Sequence, residues 1–229
     1  MSSAPRVAAV IPAAGSGTRM QSQTPKQFLV VQGKTLLQHS VTALLADARV
    51  EHVFVAVNEH NHNTVPKSLA QISFVAGGTT RAESVLSGVL HAITQGYTHV
   101  VVHDAARPRL PLKVLSEVID TALRSDNGAI VAMPMRDSLK LSEPDHDIIA
   151  QSLSREQLWL AQTPQVFAAE LLADAISEMG VQNTQLTDEA SAMEFVGYHP
   201  RLVMGSLKNM KVTHPEDLEL ITLVLGSVE

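Results

Sequence analysis

The stretch that decides the fold is "VAAVIPAAGSGTRMQSQTPKQF", residues 7–28. Its apolar run, residues 7–11, is typical of a buried β-strand, and a turn of small residues, 12–17, follows directly. Small side chains let backbone N–H groups come close to a phosphate chain, and Arg19 and Lys26 follow within reach of the same anion. The stretch therefore predicts a strand that leads into a phosphate-binding loop. Without the basic pair, such a turn would indicate only a tight strand-to-helix connection.

Two familiar phosphate-binding motifs do not fit this stretch. The dinucleotide fingerprint needs a third glycine where Met20 stands, and it needs an acidic residue about 20 positions further on, which is missing. The segment "QGKT" supplies the end of a P-loop, but the first glycine of that motif would fall at Phe28. We therefore predict that Lys34 and Thr35 form a turn and a helix start.

Short β-branched runs alternate with amphipathic helical patterns along the following chain. The strand-like runs are 52–57, 71–77, 98–103 and 129–135, and the helical patterns are 35–47, 81–93 and 112–125, the last closed by Asn127-Gly128. Several of the strand runs are apolar almost without alternation, as expected where helices cover both faces of a parallel sheet. The pattern predicts an α/β fold with a doubly wound, mostly parallel sheet of the Rossmann-like type.

Residues 136–160 break this rhythm. Short alternating runs flank a polar turn at 143–145, which predicts a β-hairpin that projects from the sheet. An isolated hairpin is marginally stable in water, so we predict that this arm (136–160) packs on a second subunit and forms a homodimer. Helices at 168–180 and 186–197, a strand at 200–205 and a final helix from Pro215 complete the prediction. We expect residues 1–229 to form a single domain with this dimerisation arm.

Composition narrows the possible functions. The chain has 229 residues, a net charge of −6 and no cysteine, which excludes disulfide frameworks and zinc–thiolate sites. A nucleic-acid binder would normally present a basic surface, so no nucleic-acid partner is predicted. No apolar run approaches the roughly 20 residues that span a bilayer, and Pro12 interrupts the first one, so neither a membrane segment nor a signal peptide is predicted. We expect a cytoplasmic protein.

Several motifs together resemble a known family. The segments 13–20 ("AAGSGTRM") and 25–28 ("PKQF") resemble nucleotidyltransferases that activate sugar or polyol phosphates. Further segments are similar to the 2-C-methyl-D-erythritol 4-phosphate cytidylyltransferases, which are CTP-dependent enzymes of the non-mevalonate isoprenoid pathway. These segments are "GGTTRAESV", "VHDAARP", "MRDSLK", "LTDEAS" and "NMKVTHPEDL". The resemblance covers nearly the whole chain and implies transfer of CMP from CTP to methylerythritol phosphate, with release of pyrophosphate.

The resemblance also implies a set of site residues. Arg19, Lys26, Asp104 and Lys211 would be catalytic, and Asp104 would bind a magnesium ion. The nucleotide would be bound by Pro12, Ala13, Ala14, Gly15, Gly17, Arg19, Lys26, Gly77, Gly78, Arg81, Ser84, Asp104, Ala105 and Lys211. The polyol phosphate would be bound by Asp104, Arg107, Ser138, Arg155, Thr163 and Thr187, some of them lent by the arm of the partner subunit.

Two positions depart from the family pattern, and alternatives stay open. Ser138 stands where threonine is expected, and Thr79 stands where aspartate is common. A cytidylyltransferase for another polyol phosphate, such as ribitol 5-phosphate, would share the same loop, lysines and aspartate. A non-catalytic nucleotide-binding scaffold is disfavoured because binding alone would not need all four catalytic residues. An oxidoreductase is disfavoured by the broken dinucleotide fingerprint.

Overall fold

The structure is a computed structural model that describes residues 4–15, 24–58 and 71–226. Gly17 and Arg19, both predicted site residues, lie outside the described residues. The strands are β1 (Val7–Pro12), β2 (Val30–Val31), β3 (Lys34–Thr35), β4 (Val50–Val57), β5 (Ile72–Ala76), β6 (His99–Val102), β7 (Ala129–Pro134), β8 (Leu139–Ser142), β9 (Ile149–Leu153), β10 (Trp159–Ala168) and β11 (Arg201–Met204). The α-helices are α1 (Leu36–Leu44), α2 (Arg81–Thr94), α3 (Leu112–Leu123), α4 (Ala169–Met179), α5 (Glu189–Phe195) and α6 (Pro215–Gly226).

The central sheet has seven strands in the order β11-β7-β10-β6-β1-β4-β5. Neighbouring strands are parallel except for β10, which runs antiparallel to both β6 and β7. Successive side chains of β1 point to opposite faces, so Ala9 packs with α1 and α3 while Val10 packs with α2, α4 and α5. This arrangement confirms the prediction of a doubly wound, mostly parallel sheet.

The helix starts follow local sequence signals. Thr35 caps α1 and Thr80 caps α2, each in a reciprocal capping box with the residue three positions later. Thr35 starts α1 as predicted. Lys34 was predicted to form a turn but lies in β3, directly after the turn at Gln32 and Gly33, which have φ of 50° and 76°. Asp188 caps α5.

Strand β10 was missed by the sequence prediction. Its residues 159–160 were assigned to the arm, and residues 161–167 were given no element. The segment "AQTPQ" interrupts any apolar pattern with polar residues and a proline, yet Thr163 and Gln165 are only 4% and 1% exposed. A smaller correction concerns α3, which ends at Leu123 and is separated from Gly128 by a turn.

The predicted hairpin is present and is formed by β8 and β9. The Glu143 N–H donates to the Ile148 carbonyl at 2.9 Å and closes the turn. The strand pairing places Leu139 opposite Leu153, Lys140 opposite Ser152 and Leu141 opposite Gln151. One mainly apolar face of the arm therefore carries the three leucines together with Gln151, while Lys140 and Ser152 lie on the other face. Leu141, on the apolar face, is 48% exposed in the single chain. Among the residues that the structure describes, no helix is long and apolar enough to cross a membrane.

Candidate functional site

A cleft of about 340 Å³ lies at the carboxyl edge of the central sheet. Strands β1, β5 and β6 run in the same direction, so the segments that follow them meet at this edge. Ligands of open α/β sheets bind at this edge. The cleft is lined by Pro12, Ala13, Ala14, Gly15, Lys26, Gln27, Gly78, Thr79, Thr80, Arg81, Ser84, Asp104, Ala105, Ala106, Lys211 and Thr213.

Most of the residues that were predicted to bind a nucleotide, and that the structure describes, meet in this cleft. Of the predicted set, only Gly77 does not line it among the residues that the structure describes. Gly77 nevertheless fixes the cleft wall, because a Cβ there would lie 2.6 Å from the Ala14 Cβ. At Gly78 a Cβ would lie 2.2 Å from the Glu83 Cβ. The glycine at position 77 therefore lets the segment after β5 approach the loop after β1, and the glycine at position 78 lets it pack against the first turn of α2.

The loop after β1 is held from below by side-chain amides. The Nε2 of Gln27 donates to the Ala13 carbonyl at 2.7 Å and to the Gly15 carbonyl at 2.9 Å. The Nδ2 of Asn58 donates to the Ala14 carbonyl at 3.2 Å. Sequence reasoning quoted "PKQF" as part of a motif but gave Gln27 no role.

Asp104 lies among three cationic side chains. Its Oδ2 is 2.8 Å from the Lys211 Nζ and 3.3 Å from the Arg107 Nε, and its Oδ1 is 3.3 Å from the Arg81 guanidinium. Burial acts to raise the pKa of Asp104, but the charges of Arg81, Lys211 and Arg107 more than offset it and hold the pKa far below its usual range. The carboxylate is therefore ionised throughout the physiological pH range.

Arg81 is held by a second carboxylate that the prediction missed. Its Nη1 is 2.6 Å from the Glu189 Oε1, and its Nη2 donates to the Glu189 Oε2 at 3.2 Å. Glu189 is only 2% exposed. Burial raises the pKa of Glu189, while the charge of Arg81 opposes this. The bidentate pair fixes the plane of the Arg81 guanidinium beside Asp104.

A buried histidine and threonine lie behind Asp104. The Asp104 N–H donates to the Thr163 Oγ1 at 3.0 Å. Burial lowers the pKa of His103 to about 4, so its ring is neutral at neutral pH. Its Nε2 is 3.1 Å from the Arg107 carbonyl, which only accepts, so Nε2 carries the proton and Nδ1 accepts from the Thr163 hydroxyl at 3.0 Å. Thr163 was predicted to contact substrate, but in this structure its hydroxyl hydrogen is donated to the His103 Nδ1.

The segment that contains Lys211 forms another wall of the cleft. The Lys26 Nζ donates to the Val212 carbonyl at 3.1 Å, so Lys26 and Lys211 lie on neighbouring parts of the same wall. The Nη1 of Arg107 donates to the Asn209 carbonyl at 2.8 Å and anchors this segment from inside. Arg107 itself is only 8% exposed and does not line the cleft.

The remaining predicted substrate residues lie outside the cleft of a single chain. Ser138 and Arg155 are exposed at the arm, where Arg155 donates to the Arg136 carbonyl. Thr187 is exposed just before α5, and its N–H donates to the Ser191 Oγ at 3.1 Å. These three residues could meet a ligand in this cleft only with a rearrangement or with a second subunit.

The side chains of this cleft are suited to bind a polyanion such as a phosphate chain. The oxygen atoms of that polyanion would supply most of the ligands of a bound metal ion. Lys26, Arg81 and Lys211 supply positive charge, and the loop after β1 supplies backbone N–H groups. Among residues 4–15, 24–58 and 71–226, no cluster of three histidine, aspartate or glutamate side chains could hold a metal ion. Asp104 alone suits magnesium, which commonly takes one or two carboxylates together with substrate phosphates and water.

Comparison with known proteins agrees with this geometry. Residues 7–227 match the family model of 2-C-methyl-D-erythritol 4-phosphate cytidylyltransferase (IspD). The chain is similar to the protein of that name from Idiomarina loihiensis, with 56% identity over 93% of this chain and 88% of the relative. It is also similar to the one from Klebsiella pneumoniae, with 47% identity over 96% and 94% of the two chains.

Solved structures of the same family share the fold. The structure of the Francisella tularensis enzyme superimposes with a TM-score of 0.83 at 30% identity and covers 96% of this chain and 99% of that chain. The structure from Thermus thermophilus superimposes with a TM-score of 0.80 at 32% identity, over 96% and 98% of the two chains. With a family match that spans nearly its whole length and a site that gathers the family's motifs, the chain belongs to the 2-C-methyl-D-erythritol 4-phosphate cytidylyltransferase family.

Proposed function

We propose that this chain transfers CMP from CTP to 2-C-methyl-D-erythritol 4-phosphate. The products are 4-diphosphocytidyl-2-C-methyl-D-erythritol and pyrophosphate. The single observation that supports this most strongly is the meeting of the loop after β1, Asp104 and Lys211 in one cleft of a chain from this family. The whole chain would act as one nucleotidyltransferase domain that carries the arm.

The reaction forms one bond and breaks one at the α-phosphorus of CTP. An oxygen of the acceptor phosphate attacks that phosphorus, and the bond to the bridging oxygen of the β-phosphate breaks, so the electron pair leaves with pyrophosphate. No general base is needed, since the attacking phosphate is already ionised near neutral pH. Catalysis of this kind is mostly positioning and charge stabilisation.

The charged residues of the cleft are suited to this task. Lys211 would contact the α-phosphate, while Lys26 and the loop after β1 would hold the triphosphate together with Arg19. Ser84 and the paired glycines would border the cytosine and ribose. Arg107 and Thr163 lie directly behind Asp104, and they would shape the acceptor pocket from inside.

Magnesium is the metal that we assign to Asp104. The residues fit, because the carboxylate is ionised and lines the cleft, with its Oδ1 3.3 Å from the Arg81 guanidinium. When bound there, magnesium supplies positive charge to the phosphates of the nucleotide. Asp104 would hold the ion, and Lys211 would turn from Asp104 toward the substrate.

We further propose that the enzyme is a homodimer in which each arm completes the partner's acceptor pocket. Support comes from the exposed apolar face of the arm and from Ser138 and Arg155, which lie outside the cleft of their own chain. The cytoplasm is the proposed location, because a cysteine-free enzyme that uses a nucleotide needs no oxidising compartment.

The decisive test is pyrophosphate release with magnesium for every pairing of CTP, UTP, ATP and GTP with methylerythritol 4-phosphate and ribitol 5-phosphate. Release with CTP and methylerythritol 4-phosphate alone is the expected result. Release with CTP and ribitol 5-phosphate would keep the mechanism and change the acceptor. No release with any pair would contradict the proposed activity.

A further inference from the structure

Gln27 occupies an unusual place for a polar side chain. It is only 4% exposed and lies beneath the loop after β1, at the wall of the cleft. Its amide nitrogen donates to the Ala13 carbonyl at 2.7 Å and to the Gly15 carbonyl at 2.9 Å. A side-chain amide has two N–H donors, so both are used on this one loop.

Asn58 holds the carbonyl between these two. Its Nδ2 donates to the Ala14 carbonyl at 3.2 Å from the end of β4. Three consecutive loop carbonyls are therefore bound by side-chain amides that belong to two separate segments of the chain. Helices and strands hold their carbonyls with backbone N–H groups, so this loop depends on Gln27 and Asn58 instead.

The carbonyl contacts decide where the loop N–H groups point. In a trans peptide the N–H of one residue is directed opposite to the carbonyl of the residue before it. Because the Ala13 and Ala14 carbonyls are bound to the amides of Gln27 and Asn58, the N–H groups of Ala14 and Gly15 are directed away from those amides. Both residues line the cleft.

These two N–H groups are available to a ligand. The Ala13 N–H donates to the Ala56 carbonyl at 2.7 Å and continues the sheet. For Ala14 and Gly15, no acceptor of the backbone N–H lies within the part of the chain that the structure describes. Successive N–H groups directed at one point form a concave site for anions such as phosphate.

We infer that Gln27 and Asn58 are positioning residues that aim the N–H groups of Ala14 and Gly15 at the triphosphate. The inference rests on the proposed function for the identity of the ligand, but not for the geometry of the loop. Neither residue needs to touch the nucleotide. Their effect is to fix the loop before the anion arrives, so that binding does not have to order it.

The test compares Gln27→Met and Asn58→Ala with the wild-type chain. Methionine keeps the length of Gln27 and removes both donors without adding charge. We expect the dissociation constants of CTP and of inorganic tripolyphosphate, measured by calorimetry, to rise about tenfold or more in Gln27→Met, since two buried hydrogen bonds are lost. The KM for CTP should rise with them, while the KM for methylerythritol 4-phosphate stays close to the wild-type value.

Gln38→Met is the matched control. Gln38 also bonds backbone, since its Oε1 accepts from the Thr35 N–H at 2.7 Å, but it belongs to the capping box of α1 and does not line the cleft. This variant should lose some thermal stability and keep the wild-type affinity for tripolyphosphate. A merely structural role for Gln27 would give the same pattern in Gln27→Met and would overturn the inference.

The outcomes separate this inference from the proposed function. Unchanged tripolyphosphate affinity in a folded Gln27→Met overturns the inference, whatever the turnover. If Gln27→Met does not fold, Asn58→Ala decides by the same measurement. Weakened tripolyphosphate binding in a chain that shows no turnover with methylerythritol 4-phosphate would support the inference and remove only the proposed reaction.

Discussion

The negative charge of Asp104 forms ion pairs with three cationic side chains. Replacement of Asp104 by a neutral residue therefore removes all three ion pairs. In Asp104→Asn, Arg81, Lys211 and Arg107 would lose their shared counter-charge. We expect turnover to fall on the order of 100-fold or more and the free energy of unfolding to fall by about 3–5 kcal/mol, as for other broken buried ion pairs. Pyrophosphate release and chemical denaturation measure the two effects.

A matched control for this substitution is Glu51→Gln. Glu51 pairs with Arg6 at 2.9 Å, but both side chains are more than 40% exposed. Loss of such a surface pair should change the stability by less than about 1 kcal/mol and leave turnover intact. Equal effects of Asp104→Asn and Glu51→Gln would contradict the role assigned to Asp104.

The two cleft lysines should affect turnover far more than stability. Lys211 is partly exposed, and Lys26 makes a partly buried hydrogen bond to the Val212 carbonyl. Loss of either side chain therefore removes little of the packing, and we expect Lys26→Ala and Lys211→Ala to fold. With one positive charge lost from the phosphate site, we expect kcat/KM to fall on the order of 100-fold in each variant. Kinetics with circular dichroism as the folding control would check this. Wild-type kinetics in either variant would exclude that lysine from the mechanism.

The sequence allowed us to predict the charged residues of the cleft, but not the buried polar residues that hold them and the loop after β1 in place. Lys26 was found because a basic residue close to a loop of small residues suits phosphate binding, and Asp104 and Lys211 were found because their segments resemble motifs of the family. Gln27 and Glu189 were not assigned, since nothing in a linear pattern shows that a polar side chain will be buried against a loop or a guanidinium. Such contacts depend on packing between segments far apart in the chain, 108 residues for Arg81 and Glu189.

The connection between α1 and β4 is fastened to α3 by a charged cluster. Asp47 accepts from the Arg49 Nη2 at 2.7 Å and from the Ser116 hydroxyl at 2.7 Å, and Arg49 also contacts Asp120. The hydrogen bonds from Arg49 lower the pKa of Asp47 to about 2, against the opposing effect of burial. The cluster therefore contributes stability only while Asp47 is ionised.

This cluster gives a pH-dependent prediction. The folded pKa of Asp47 lies below the unfolded value of about 3.9, so its stabilisation is present above about pH 4 and is lost as the pH falls toward about 2. The difference in unfolding free energy between the wild type and Asp47→Asn should be about 1–2 kcal/mol near pH 6 and should shrink below about pH 4. Urea titrations across this range would measure it, and a constant difference would contradict the prediction.

The parallel strands and the helices between them could be predicted from the sequence, whereas strand β10 could not. Parallel strands such as β1 and β6 are buried on both faces, so their apolar runs and the helices between them were visible in the sequence. Strand β10 is stabilised by pairing on both sides, and its buried Thr163 and Gln165 bond to Asp104 and to α5. These two buried positions are therefore occupied by polar residues with hydrogen-bond partners and not by part of an apolar run, so the sequence did not indicate a strand.

The quaternary structure is predicted from the exposed face of the arm. Leu141→Glu places a charge on the apolar face, so we expect light scattering to show a dimer for the wild type and a monomer for this variant at micromolar concentration. Turnover should fall with dissociation, because Ser138 and Arg155 would no longer reach a partner's cleft. Ser152→Glu, on the polar face of the same hairpin, is the control and should remain dimeric. A monomeric wild type would defeat the arm hypothesis.

Strand β10 has a mechanical consequence for the whole molecule. It begins at Trp159, at the base of the arm, and its Thr163 hydroxyl accepts from the Asp104 N–H at 3.0 Å. Only four residue steps, roughly 13 Å of extended chain, separate these points. The base of the arm is thus connected by a short stretch of β10 to the backbone of Asp104, although the pairing of this stretch with β7 is interrupted between Ala161 and Gln165. In the proposed dimer, this strand would connect the interface made by each arm to the cleft of the same subunit.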